Sequence, residues 1–245
     1  MKSALDSTVL ILVEPQSPGN IGMVCRAMSN MGLTQLRIVS GCEHLHPEAY
    51  KFAVSARDVL EQAQCYSSLE DALADITTSV ATTRRSGKYR QELLTPPQAA
   101  QVMLSATGRS ALVLGREDHG LSTTDLTRCS HHATIPTGSE YGSLNLAQAA
   151  LVFCYELFNR STEETTISSR MPVASGELEP LFSQMQSTLL RIGYLNPQNP
   201  DHIMRSLRRM LFRASLDQHE VAIMRGMMSQ IDWAANNFSD RKKVS

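Results

Sequence analysis

Two polar side chains lie in a turn-rich stretch near the start of this 245-residue sequence, residues 14–33 (EPQSPGNIGMVCRAMSNMGL). Asn20 lies where the turn passes into a helical pattern, and Arg26 follows in the second helical turn. Gly19 and Gly22 would let the backbone approach a ligand, and the N–H groups that open a helix bind anions. A helix capped by Asn20, with a solvated arginine, explains the stretch equally well. A dinucleotide site is disfavoured because G-x-G-x-x-G is absent.

A second charged turn follows a predicted strand within residues 112–122 (LVLGREDHGLS). The strand ends at Gly115, Glu117 lies in the turn, and Ser122 is expected to cap the next helix. Ligands of parallel sheets collect at the carboxyl ends of the strands, so this turn is a candidate binding loop. We interpret His119 as an ordinary polar loop residue, because no second histidine lies at ligand spacing from it.

A glycine-rich turn also precedes a long helix within residues 135–157 (IPTGSEYGSLNLAQAALVFCYEL). The helix is expected to begin near Ser143 or Leu144. Gly142, Ser143 and Asn145 place N–H groups, a hydroxyl and an amide at its start. For Ser143 alone, a helix cap is favoured over a nucleophile, because the G-x-S-x-G elbow of hydrolases is absent.

The composition fits a globular protein with a substantial core, at 42% hydrophobic and 19% charged residues. Only 5% of the residues are aromatic, which argues against an aromatic platform for stacking bases. The net charge of −1 neither favours nor excludes nucleic acid, so an RNA site would need its positive charge concentrated locally.

Cysteine and histidine spacing predicts no metal site. His131 and His132 are adjacent in an extended segment and therefore point to opposite faces. The five cysteines are scattered without a C-x-x-C pair, which predicts reduced thiols in a cytoplasmic protein. No apolar run approaches the ~18 residues of a membrane span, and we expect neither a signal peptide nor a membrane partner.

The order of the predicted elements indicates an α/β domain over residues 1–160, with a parallel sheet covered by helices on both faces. Continuous apolar runs predict strands at 8–13, 36–40, 79–83, 111–115 and 133–136. Helical patterns between them lie at 21–31, 68–75, 97–105 and 144–158. A polar linker is predicted at 161–176, followed by a small helical extension at 177–245.

Together the three segments resemble the signature motifs of the SpoU-type RNA ribose 2′-O-methyltransferases of the SPOUT superfamily. The stretches that carry the resemblance are PGNIGMVCRAM, LVLGREDHGLS and IPTGSEYGSLNLAQAA. The C-terminal helices resemble the extension of a branch that methylates the ribose of nucleotide 32 in the tRNA anticodon loop. The resemblance implies S-adenosylmethionine as cofactor, a homodimer, tRNA as partner and no role for DNA. It also implies a trefoil knot at the C-terminal end of the sheet domain, which the periodicity does not reveal.

The same resemblance implies which residues hold the cofactor. They lie in three loops, which the family pattern places after its fourth strand, after its fifth and around its sixth: Thr82, Thr83, Arg84, Gly115, Ile135, Gly142, Ser143 and Leu144.

The catalytic residues implied by the resemblance are polar groups from all three motifs: Asn20, Arg26, Glu117, Ser143 and Asn145. Arg26 is either a general base or a charged group that holds the target phosphate or 2′ oxygen. We favour the charged role, because a guanidinium does not give up its proton readily.

Two basic clusters are expected to contact RNA phosphates, although a solvated face is the usual explanation for either one alone. The first comprises Arg84, Arg85, Lys88 and Arg90, and the second Arg205, Arg208, Arg209 and Arg213. Two alternative functions stay open: methylation of ribosomal RNA or another tRNA position, and a catalytically silent RNA-binding scaffold.

Overall fold

A computed structural model describes residues 4–84, 93–138, 142–161 and 171–237. Within these ranges six strands form one parallel sheet in the order β3-β2-β1-β5-β4-β6. The strands are β1 (Thr8–Val13), β2 (Gln35–Val39), β3 (Gln64–Tyr66), β4 (Ile76–Thr82), β5 (Arg109–Leu114) and β6 (His131–Ala133).

Helices connect the strands and continue beyond them. In the sheet domain they are α1 (Pro18–Asn30), α2 (Pro47–Ala53), α3 (Arg57–Glu61), α4 (Leu69–Leu73), α5 (Pro96–Leu104), α6 (Thr123–Arg128) and α7 (Leu146–Ser161). The C-terminal helices are α8 (Ser175–Arg191), α9 (Asp201–Ala214) and α10 (Gln218–Asn237). Among the described residues, no helix is long and apolar enough to cross a membrane.

The central strands are buried on both faces, which explains their continuous apolar sequences. In β1, Leu10 and Leu12 belong to the core beneath α1, α5 and α7, whereas Val9, Ile11 and Val13 belong to a second core beneath α4 and α6. Successive side chains of a strand point to opposite faces, so each face needs its own helical layer. The predicted α/β class with helices on both faces is confirmed. The trefoil knot stays a prediction, since it depends on chain paths that include residues 85–92 and 139–141.

Three short elements were not predicted from the sequence: α2, α3 and β3, which lie between the second and third predicted strands. Gly19 and Gly22 are explained by this missed region, because both face α2 rather than a ligand. A Cβ at Gly22 would lie 2.2 Å from the Ala49 carbonyl oxygen, and one at Gly19 would lie 2.9 Å from Oε1 of Glu48. The glycines therefore permit close packing of α1 on α2, and the sequence-based ligand interpretation of them is wrong.

A buried arginine ties the sheet to α4 at its edge. Arg37 is 3% exposed and donates to the Ala72 carbonyl and to both carboxylate oxygens of Asp75 at 2.6 and 2.9 Å. Arg109 donates to the same carboxylate at 2.6 Å. The hydrogen bond from Arg37, followed by that from Arg109, lowers the pKa of Asp75 to about 2.

Replacing Asp75 by asparagine should reduce the free energy of unfolding at neutral pH by about 1–2 kcal/mol, after allowance for its partial exposure. Because the folded pKa is lowered, the carboxylate stabilises the fold above its unfolded pKa of about 3.9. That contribution should be lost as the pH falls through about 2. Urea unfolding of Asp75→Asn and the wild type across this window measures the difference, and a gap that stays constant with pH would contradict it.

The C-terminal helices share a separate core formed by side chains of all three, among them Phe182, Met204 and Met228. The first turn of α8 is tied to the sheet domain, because the Ser175 hydroxyl donates to the Ile76 carbonyl and the Gly176 N–H to the Ala74 carbonyl. The helical extension is therefore anchored beside the start of β4.

Candidate active site

A pocket of about 410 Å³ opens at the carboxyl ends of β4, β5 and β6. Its wall includes every residue that the sequence analysis assigned to the cofactor: Thr82, Thr83, Arg84, Gly115, Ile135, Gly142, Ser143 and Leu144. The three loops that carry them are far apart in the sequence and meet here because their strands are neighbours in the sheet. The described residues of the three loops thus form one cavity.

The turn after β5 is held in a fixed shape by two glycines. A Cβ at Gly115 would lie 2.3 Å from the carbonyl carbon of Gly120 and from the Leu121 nitrogen, so only glycine fits. Gly120 has a φ of +67°, which glycine adopts without strain, and its N–H donates to the Arg116 carbonyl at 2.9 Å. The closed turn carries Glu117 and His119 on the pocket wall.

Glu117 connects this turn to the loop before α1. Its carboxylate accepts hydrogen bonds from the backbone N–H groups of Gln16 and Ser17, at 2.9 and 3.2 Å, and from Nδ2 of Asn20 at 2.8 Å. Three donors converge on one carboxylate, which fixes the start of α1 against the turn after β5.

Asn20 connects the same loop to the third motif. It is 7% exposed, and its Oδ1 accepts from Nδ2 of Asn145 at 2.9 Å. Oδ1 of Asn145 in turn accepts from the Ala147 N–H at 2.8 Å. This series of hydrogen bonds starts at the Glu117 carboxylate, which only accepts, and ends at a backbone N–H, which only donates. The orientations of both side-chain amides, of Asn20 and Asn145, are therefore determined.

Two sequence expectations about helix caps are corrected here. Ser17, not Asn20, caps α1, because its hydroxyl accepts from the Asn20 N–H. The long helix begins at Leu146, and Asn145 rather than Ser143 caps it through the Ala147 N–H. Both asparagines therefore bond across motifs as well as locally, and Ser143 lies on the pocket wall. The predicted Ser122 cap is confirmed by its hydrogen bond from the Asp125 N–H.

Asp118 forms a second polar link that the sequence analysis missed. Its carboxylate accepts from Arg116 Nε and Nη2 at 3.0 and 2.9 Å, from Gln16 Nε2 at 3.1 Å and from His119 Nδ1 at 2.9 Å. Arg116 also reaches Glu14 at 3.2 Å. The adjacent basic and acidic residues of the REDH sequence were the available signal, although the sequence does not say which of them pair.

Arg26 is separated from this cluster in the structure of the chain. It is exposed, and the structure shows no hydrogen bond or ion pair between it and another described residue. It follows Asn20 by six positions, which places it about 9 Å further along α1 and on a different side of the helix. One chain therefore brings together Asn20, Glu117 and Asn145, but not Arg26.

The predicted RNA-contacting arginines have different surroundings. Arg208 donates both Nη groups to Glu179 at 2.6 and 2.8 Å and lies 4.3 Å from the ring centroid of Phe182, so it stabilises the helical bundle. Arg205 and Arg209 are half-buried on α9, and Arg213 is exposed near its end. Arg84 lies on the pocket wall, whereas Arg85, Lys88 and Arg90 lie outside the described residues.

The pocket suits a nucleoside cofactor in size and chemistry. Its volume falls in the usual range of about 300–1,000 Å³ for small-molecule sites. Ile135 and Leu144 supply apolar surface for a base, while Thr82, Thr83 and the turn backbones supply hydrogen-bonding groups. The residues that are present therefore fit S-adenosylmethionine.

Comparison with known proteins agrees with this geometry. Residues 7–155 match the SpoU rRNA Methylase family, and residues 176–241 match the C-terminal domain of the tRNA methyltransferase TrmJ. A tRNA (cytidine/uridine/adenosine-2′-O-)-methyltransferase TrmJ of Pseudomonas aeruginosa is 35% identical over 97% of this chain and 98% of its own. A Citrobacter koseri tRNA (cytidine/uridine-2′-O-)-methyltransferase TrmJ is 34% identical over 93% and 97%. The crystal structure of TrmJ from Z. mobilis superimposes with a TM-score of 0.81 at 33% identity, covering 92% of this chain and 99% of that one.

The chain therefore belongs to the SpoU methylase family, and it is a methyltransferase that takes its methyl group from S-adenosylmethionine. Within the family it falls in the TrmJ branch, because the match extends through the C-terminal helices. The family resemblance drawn from the three motifs and the branch resemblance drawn from the C-terminal helices are both confirmed.

Proposed function

We propose that this protein methylates a ribose 2′-hydroxyl of tRNA, at position 32 of the anticodon loop, in the cytoplasm. The observation that carries the proposal is the hydrogen-bonded chain Glu117–Asn20–Asn145, which joins the three motifs beside the cofactor pocket. The relatives named above are tRNA 2′-O-methyltransferases and align over nearly the whole chain.

Methyl transfer to the ribose oxygen does not require a covalent intermediate with the protein. When bound, S-adenosylmethionine supplies a methyl group on an electrophilic sulfonium. The protein's task is to hold the ribose oxygen in line and to dispose of one proton. Asn20 is buried and bonded on both sides, so its role is to support the loops. Ser143 lies on the pocket wall, where it can contact the ligands.

Arg26 completes the site from a second subunit in this proposal. Its guanidinium keeps its charge, binds the target phosphate or 2′ oxygen and stabilises the negative charge that develops on that oxygen. A second subunit is required, because Arg26 of the same chain lies apart from the Glu117 cluster.

An apolar stripe on α7 supports the homodimer. Leu151, Tyr155 and Phe158 follow one another at four and three positions, share one helix face and are 43%, 49% and 43% exposed. The starts of α7 and α1 are joined through the Asn145–Asn20 hydrogen bond, and Arg26 follows Asn20 by as many residues as Leu151 follows Asn145. Arg26 and Leu151 therefore lie at similar distances from the starts of their helices. A second copy docked on this stripe would lie at about the same level along α1 as Arg26.

The double variant Leu151→Arg and Tyr155→Arg should be monomeric in sedimentation equilibrium, because charges on the stripe oppose its burial against a second copy. Its methylation rate should fall about 10²-fold, since it loses the partner's Arg26. Ile223→Arg is the matched control, because Ile223 is 55% exposed on α10, away from the stripe. A fully active monomeric double variant would contradict the shared site.

The C-terminal extension, residues 177–245, is proposed to contact the tRNA body. Arg205, Arg209 and Arg213 lie on α9, which contacts α6, the helix that follows the motif-two turn. These side chains and Arg84 would neutralise phosphates, which makes binding sensitive to salt. Arg208 is assigned to the bundle instead, because both of its Nη groups bind Glu179.

Mass spectrometry of tRNA tests the proposal. Unmodified tRNA incubated with the protein and S-adenosylmethionine should gain one methyl group on the ribose of nucleotide 32. A methyl group on a base, or none on any tRNA, would contradict the reaction. A ribose methyl outside the anticodon loop would overturn only the position.

A further inference from the structure

The helical extension is joined to the sheet domain of its own chain at the start of β4. The Ser175 hydroxyl belongs to a buried side chain and donates to the Ile76 carbonyl at 2.9 Å, and the Gly176 N–H donates to the Ala74 carbonyl at 3.2 Å. A Cβ at Gly176 would lie 2.9 Å from the same Ala74 oxygen, so a larger residue would push the two segments apart. The position of α8 on the sheet domain is therefore fixed.

The helix that carries the arginine row, α9, lies beside an element that leads directly from the pocket. It contacts α6, which begins two residues after Leu121 of the pocket wall. The strand β6 leads into the same wall, because Ala133 at its end and Ile135 just beyond it both line the pocket. From His131, the first residue of β6, to Ile135 an extended chain spans at most about 14 Å.

The positive charge of α9 also acts on β6. Burial is the largest cause that lowers the pKa of His131 and of His132, and the charges of Arg213 and Arg209 lower the first and the second further. Because such effects fade within about 10 Å, both guanidinium groups lie near β6. The arginine row is thus close to the strand that leads into the pocket of the same chain.

The extension and the apolar stripe on α7 lie on opposite faces of the sheet. The core beneath α7 also lies beneath α1 and α5, whereas α8 contacts α4 and α9 contacts α6 on the other face. In a symmetric dimer both copies use the same stripe, so each extension lies on the face of its own sheet that points away from the partner. The extension of the second copy is therefore further from this pocket than the chain's own extension.

We infer, on the basis of the proposed tRNA methylation by a homodimer, that each helical extension holds the tRNA for the pocket of its own chain. Arg209 and Arg213 bind backbone phosphates, and the RNA runs from α9 past β6 to the pocket. Such contacts position a nucleic acid without reading its sequence. The site therefore takes its extension from the chain that holds the cofactor and Arg26 from the other chain.

Mixed dimers of one wild-type and one Glu117→Gln subunit test the inference, because only the wild-type subunit then has a working pocket. They are purified through a different tag on each subunit. Arg209→Glu and Arg213→Glu are introduced together, either into the subunit with the working pocket or into the Glu117→Gln subunit. The rate of ribose methylation is measured at tRNA concentrations below KM.

In the subunit with the working pocket, the charge reversal should lower kcat/KM for tRNA by about 10²-fold, because carboxylates would then face the phosphates. In the Glu117→Gln subunit the same reversal should leave the rate unchanged. Lys51→Glu with Arg57→Glu, in the subunit with the working pocket, is the matched control. It makes the same change of charge at exposed positions of α2 and α3 and should also leave the rate unchanged.

A loss of rate from the charge reversal in the Glu117→Gln subunit, in both placements or in neither would overturn the inference. Arg213→Glu alone, at an exposed position near the end of α9, should show the same dependence on placement with a smaller loss, which separates lost charge from a misfolded extension. Failure of the proposed function is recognised separately, because the mixed dimer without charge reversal would then form no ribose-methylated tRNA.

Discussion

Arg26→Ala should lower the single-turnover rate of tRNA methylation by about 10²–10³-fold, the range for removing one donor that stabilises a developing oxyanion. The fold should be unaffected, since Arg26 is exposed and pairs with no described residue in its own chain. Affinity for S-adenosylmethionine should also be retained, because Arg26 does not lie on the pocket wall. The rate is followed by transfer of labelled methyl, and cofactor binding by titration calorimetry.

Arg57→Ala is the matched control, because Arg57 is an exposed arginine of α3 with no assigned role. It should keep the wild-type rate. Arg26→Lys separates the two roles considered for Arg26. A charged clamp predicts a slower enzyme with the wild-type pH profile. Loss of a rate-controlling ionisation in Arg26→Lys, with unchanged RNA binding, would instead make Arg26 the base.

Glu117→Gln should lower the rate by about 10²-fold, which is the effect expected when reacting groups are misplaced by about 1 Å. The carboxylate holds two backbone N–H groups and the Asn20 amide. Glutamine has one acceptor oxygen and brings an N–H₂ group against N–H donors. The free energy of unfolding should fall by about 1–3 kcal/mol, because at least one donor loses its partner.

Glu61→Gln makes the same chemical change at an exposed position of α3 and should alter neither quantity. Rates come from single-turnover methylation and unfolding energies from urea titration. If Glu117→Gln is as stable and as active as Glu61→Gln, the carboxylate does not organise the site.

The strands were predictable because a buried strand consists of a continuous run of apolar residues. A strand covered on both faces is apolar at nearly every position, as the VLILV stretch of β1 is. The pocket was predictable because consecutive motifs end neighbouring strands of a parallel sheet. In contrast, β3 has two exposed residues of three and no apolar pattern to detect.

Side-chain pairing was the part that sequence could not supply. Asn20 and Asn145 are 125 positions apart, and their hydrogen bond depends on the relative placement of α1 and α7. Likewise, the four arginines of α9 follow one another at helical intervals and look equivalent in the sequence. Only the contacts with Glu179 and Phe182 distinguish Arg208 from the others. The glycines in the first turns of α1 were misinterpreted for the same reason, since α2, which they contact, was not predicted.

A mixed dimer tests the shared site most directly. Co-expression with two different tags and purification through both would give dimers with one Arg26→Ala and one Glu117→Gln subunit. Such a dimer has one complete site if Arg26 acts across the interface, so it should show about half of the wild-type rate although both parent variants are nearly inactive. A mixed dimer as inactive as its parents would contradict a site built from the motifs of two chains.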